Sequence, residues 1–121
     1  MKIERFEDIQ AWQESRELTN MVFGVTAPKG SFGSYRLRDQ IEGAAISTMA
    51  NIAEGFDSQS DSEFIKFLIY SRRSASEVQS HLYVALDQKY ITKGQFDEIY
   101  KKAVLVKKLI SGFIRYLKGK R

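Results

Sequence analysis

The sequence predicts an all-α fold, an antiparallel up-down-up-down four-helix bundle that occupies residues 1–121 as one domain. Three observations carry that expectation. Apolar residues recur at steps of three and four along four long segments, the spacing of one helix face and not of a strand. One proline and eight glycines in 121 residues leave few points where a helix must stop. The intervals between segments are short, so consecutive helices fold back as antiparallel neighbours. A helical hairpin completed by another chain is the lesser alternative, because all four segments are amphipathic.

The first segment, about residues 7–25, carries Ile9, Trp12, Leu18, Met21, Val22 and Val25 on one face. The breakers Pro28, Gly30 and Gly33 follow, and Ser34 is placed to cap the second segment, about residues 35–54. That segment combines Leu37, Ile41, Ala44, Ala45, Met49 and Ile52 with small residues that allow a neighbouring backbone to come close. The third segment, about residues 61–89, has the seam Phe64, Leu68, Ser71, Ala75, Val78, Leu82 and Ala85. The fourth, about residues 93–118, repeats it with Phe96, Ile99, Ala103, Val106, Ile110, Phe113 and Leu117. Seams of this kind pack knobs into holes at small crossing angles.

Between segments two and three lies NIAEGFDSQSDSEF, residues 51–64. Gly55 is expected to end the second helix in a left-handed conformation. Ser60 and Glu63 have the spacing of a capping box, and Asp61 favours the dipole at the start of the third helix. Asn51 and Glu54 fit that account less well. They are expected to form a structural polar cluster with Trp12 and Gln13, hydrogen-bonding to the first helix and fixing the register of the bundle, since buried polar groups need partners.

Composition narrows the chemistry. Cysteine is absent, which removes disulfides and thiolate metal sites and fits a reducing, cytoplasmic setting. No apolar run approaches the ~20 residues of a membrane span, and the charged start has no secretory h-region. A di-iron bundle needs Glu-x-x-His motifs on two helices. Here the one histidine, His81, follows Glu77 by four residues, and the two read as a surface or interface pair. Nucleotide-binding glycine loops and a nucleophile elbow are missing. Catalytic residues, metal and cofactor are therefore not expected, and the chain reads as a non-enzyme.

Charge and surface apolarity are more informative. From Ile99 onward there are eight cations and no carboxylate: Lys101, Lys102, Lys107, Lys108, Arg115, Lys118, Lys120 and Arg121. Lys101, Lys108 and Arg115 are seven apart and line the back of the fourth helix, with Arg72 and Arg73 adding charge from the third. A stripe of this kind can neutralise phosphates. Beside the core seam, Leu105, Leu109 and Tyr116, with Gly112 between them, form a second apolar stripe suited to a homo-oligomer interface.

FEDIQAWQ (residues 6–13), Leu37 with Gln40, NIAEG (51–55) and SDSEFIKFL (60–68) occur in one order and spacing. In these motifs the chain resembles the bacterial four-helix-bundle family encoded within intervening sequences of large-subunit ribosomal RNA genes. That family is related to the accessory proteins of diversity-generating retroelements, which partner a reverse transcriptase and bind nucleic acid. The resemblance implies an up-down bundle, often a ring-like homopentamer, with no established enzyme activity. The chain departs from the family pattern in having Glu42, Gly43 and Ser58 where basic residues are usual, and Arg73 where glycine is common. Two functional expectations follow: a nucleic-acid-associated oligomer binding RNA or DNA through its fourth helix, or a scaffold that docks a protein partner without nucleic acid.

Overall fold

The computed structural model describes residues 2–120; Arg121, the last of the C-terminal cations, lies outside them. A short 3₁₀ turn, Phe6–Asp8, leads into α1 (Gln10–Thr26), α2 (Tyr35–Phe56), α3 (Asp61–Asp87) and α4 (Lys93–Lys118). The helix α1 packs against α2 and α4, and α3 packs against the same two, so the four stand in a square around one core. Cross-helix contacts run antiparallel. On α2 and α3, Thr48 pairs with Ser71 and Ser47 with Ser74, while Phe56 meets Phe64 at the turn. On α3 and α4, Gln79 reaches Lys107 and Arg72 reaches Ser111, farther along α4.

The four helices are those the apolar spacing predicts, with ends moved by at most three residues. All seven seam residues of α3 are buried. On α4 six of seven are, with Ile114 buried one position beyond the half-buried Phe113. Ser34 caps α2 as expected, its Oγ accepting from the Leu37 amide at 3.2 Å. Phe32, in the α1–α2 loop, is buried and its ring lies 5.2 Å from that of Tyr90 in the α3–α4 turn. One aromatic pair thus ties together the two connections at that end of the bundle.

At the opposite end two local expectations are corrected. Gly55 does not stop α2, which continues through Phe56. It lies buried in the helix, and a Cβ there would fall 2.7 Å from the Phe64 ring and 3.0 Å from Phe67 Cβ. Its role is close approach of α2 to α3. The capping box at α3 forms by half: Ser60 Oγ accepts from the Glu63 amide at 3.2 Å, but the Glu63 carboxylate turns toward Lys66 instead. A complete box stands at α4, where Thr92 and Gln95 bond each other's amides at 3.1 and 2.9 Å.

The contact between α2 and α3 includes small side chains on both helices: Ser47, Thr48 and Gly55 on one, Ser71 and Ser74 on the other. Ser71 Oγ donates to the Thr48 carbonyl, so closeness of the two backbones also satisfies a hydroxyl that would otherwise be buried without a partner. Thr19 does the same between α1 and α2, donating to the Ala45 carbonyl at 3.1 Å. Among the described residues, no helix is long and apolar enough to cross a membrane.

Candidate nucleic-acid interface

The cations of α4 divide by their partners. Lys102 turns toward α1 and bonds Glu14 at 2.6 Å, with both side chains three-quarters buried, and Lys120 lies 3.7 Å from Asp61. The Lys102 charge is held by its partner, while Lys120 and Asp61 form only a half-exposed surface pair. Lys101, Lys107, Lys108, Arg115 and Lys118 have no carboxylate partner within 4 Å among the described residues. Lys101, Lys108 and Arg115 are exposed in one row opposite the α4 seam, as their seven-residue spacing requires.

A cleft of about 430 Å³ opens between α3 and α4, lined by Arg72, Val104, Lys107, Lys108, Ser111 and Arg115. Four of these six residues are cations and none is an acid. Two are held in place from behind. Arg72 Nη1 donates to Ser111 Oγ at 3.0 Å, and Lys107 Nζ donates to Gln79 Oε1 at 3.0 Å. Ser111 accepts from Arg72 and keeps its own proton to donate. Clustered guanidinium, ammonium and hydroxyl donors on two packed helices suit an oxyanion such as phosphate.

Of the predicted basic residues, the structure brings Arg72, Lys108 and Arg115 together at this cleft, with Lys101 in line on α4. Arg73 and Lys118 are exposed but do not line it. Lys107 belongs to the cleft and was not singled out beforehand. Only its i+1 neighbour, Lys108, sits in the seven-residue row, and the turn of Lys107 toward Gln79 depends on how α3 packs.

The predicted polar cluster does not form. Asn51 Nδ2 donates within its own helix, to Ser47 O at 2.9 Å and Ser47 Oγ at 3.0 Å, and Ser47 in turn accepts from Ser74 of α3. Gln13 Nε2 donates to the Glu7 carbonyl at 2.8 Å, fixing the turn before α1 rather than reaching α2. Trp12 is half-buried with its ring edge-on to Phe6 at 5.1 Å. Glu54 is exposed, with no hydrogen bond or ion pair among the described residues. The physical reason is direction: at its place on α2, Asn51 looks toward α3, and a nearer acceptor one turn back takes its amide.

Two departures from the family pattern have local structural uses. The Glu42 carboxylate accepts from Thr26 Oγ1 at 2.6 Å, tying the end of α1 to α2. Ser58 Oγ donates to the Gly55 carbonyl, which also accepts from the Ser58 amide at 3.1 Å, at the end of α2. His81 Nε2 lies 3.6 Å from Glu77 on the same helix, as their spacing suggests. No group of three or more acidic or histidine side chains that could hold a metal ion occurs among the described residues.

The apolar stripe of α4 is partly open to solvent. Leu105 is 39% exposed and Tyr116 61%, while Leu109 and Gly112 are half-buried. Leu109, Phe113 and Tyr116 also border a larger groove of about 1210 Å³ at the end of the bundle, with Ala11, Phe56 and Phe64. Stripe and groove are thus one continuous surface. The basic row runs beside it on α4.

No curated protein matches the chain. A crystal structure of a protein of unknown function from the S23 ribosomal protein family of Bacteroides thetaiotaomicron VPI-5482 is similar in fold, with a TM-score of 0.78 at 23% identity, over 86% of this chain and 97% of that one. A model of the family described as 23S rRNA-intervening sequence protein matches residues 7–112, a span that takes in all of α1, α2 and α3 and the basic row of α4 through Lys108. The four-helix architecture and the match over most of its length agree, and the chain belongs to the 23S rRNA-intervening sequence protein family.

Proposed function

We propose that the protein is a non-catalytic bundle that binds nucleic acid through phosphate contacts on its α3–α4 face, and that it does so as a homo-oligomer, in the five-membered ring that the family resemblance implies. One observation carries the proposal: four cations from two helices converge on a cleft without a carboxylate. Converging like charges repel each other in the free protein, and a polyanion relieves that repulsion while releasing its own counterions. The relation to retroelement accessory proteins that the sequence resemblance implies points the same way. Mobility shifts with structured RNA and duplex DNA over a salt series test it. Binding is expected to be clear at about 50 mM salt and to weaken steeply by about 200 mM. Absence of a shift at the lower salt refutes it.

A second reading, a scaffold that docks a protein partner, is favoured by the exposure of Leu105 and Tyr116 on the surface that continues into the end groove. It is the better account if the purified protein assembles in light scattering yet shifts neither RNA nor DNA.

A further inference from the structure

We infer that the α3–α4 cleft and the basic row beside it seat the phosphates of a base-paired duplex rather than those of an unpaired strand, an assignment that rests on the nucleic-acid reading above. Sites for unpaired strands combine a basic track with aromatic side chains on which bases stack. This face has the track and lacks the platform. Between its cations stand only Val104 and Ser111. Rings outside the cleft pack against one another, with Tyr83 and Tyr116 keeping part of their surface open to solvent. Phe96 and Tyr100 stack at 5.3 Å, with Tyr83 edge-on to both. On the other flank, Tyr116 leans edge-on against Phe113 and borders the end groove.

Geometry favours a duplex as well. Lys101, Lys108 and Arg115 ride on one uninterrupted helix, each about 10.5 Å from the next by helical rise. Arg72 and Lys107 are fixed by Ser111 and Gln79 at the rear of the cleft. A rigid row of charges gains most from phosphates that are already ordered. A duplex supplies them at one charge per ~1.7 Å of axis, twice the linear density of a single strand. An unpaired strand must first be straightened, and the cleft holds no ring to offset that ordering.

Fluorescence anisotropy on the full chain, with matched lengths of duplex RNA, duplex DNA and an unstructured pyrimidine strand, separates the outcomes. Either duplex is expected to bind about tenfold more tightly than the strand at equal salt, given its charge density and the missing stacking platform. The slope of log K against log salt is expected near −4, one unit of which goes with each of Arg72→Ser and Arg115→Ser. Equal or tighter binding of the single strand overturns the duplex assignment and leaves the nucleic-acid face standing. Duplex binding whose slope ignores both substitutions shows that the phosphates sit elsewhere. Failure of all three ligands to bind at about 50 mM salt, where phosphate contacts dominate, removes the nucleic-acid reading itself.

Discussion

At Gly55 the two helices α2 and α3 are as close as a missing side chain allows. A methyl there would have to displace the buried Phe64 ring and the Phe67 Cβ. Overpacking of this kind costs about 1–3 kcal/mol, against a helix-propensity gain near 1 kcal/mol for replacing glycine. Gly55→Ala is therefore expected to lower stability by up to about 2 kcal/mol in urea denaturation. Gly43, exposed in the same helix with open space around its Cα, supplies the control. There alanine is expected to raise stability by about 0.5–1 kcal/mol. A glycine before a polar run is equally compatible with a helix stop and with close packing, and only the Phe64 ring decides between them. Asn51 makes the same point. Its polarity marks it as needing a partner, but the partner is the carbonyl and hydroxyl of Ser47 in its own helix, a choice that depends on rotamer and rotation rather than spacing.

At the level of elements, helix interiors were legible and helix ends less so. Seven-residue repetition identifies the apolar part of the buried face of α3, because burial of that face is what makes the helix stable, and misses only the buried polar residues Ser74 and Gln79 beside it. Ends depend on single backbone conformations. The seam pattern carries α3 to about Lys89, whereas the helix closes at Asp87 and Lys89 adopts φ 64°, with the Tyr90 amide bonding back to the Ala85 carbonyl at 2.9 Å. This is the left-handed position that glycine normally fills after a helix, and a side chain there costs about 1–2 kcal/mol. No glycine marks the site, so the stop was hidden. Because Lys89 is exposed and has no ion pair among the described residues, Lys89→Gly removes the strain without removing a contact. Thermal denaturation is expected to show a gain of about 0.5–1 kcal/mol, less than the full strain because glycine gives the unfolded chain more freedom. An unchanged or lower midpoint would mean that the lysine stem stabilises the turn by packing.

On the scale of the whole molecule, one helix presents two surfaces side by side: the row of Lys101, Lys108 and Arg115, and the stripe of Leu105, Leu109, Gly112 and Tyr116. Both rows were visible in the sequence because each follows helical spacing. The rear of the cleft was not, since Arg72 meets Ser111, and Gln79 meets Lys107, only across the packed α3–α4 interface. Adjacency of the two surfaces links assembly to binding under the proposed function. If copies join through the stripe, their basic rows come to lie near the seams of one oligomer and meet a single polyanion together. Linked sites raise overall avidity without any new contact in one subunit. Leu105→Ser combined with Leu109→Ser leaves every cation in place while weakening the apolar stripe. Light scattering is expected to fall from an oligomer toward the 13.9 kDa of one chain. Affinity for a long duplex is expected to drop at least about tenfold, the low end of what loss of multivalency removes, while a duplex too short to span two subunits loses much less. A parallel loss on long and short ligands would show that the substitutions damage the basic face itself. A fall in mass with long-duplex affinity unchanged would show that each bundle binds alone, with assembly serving some other contact.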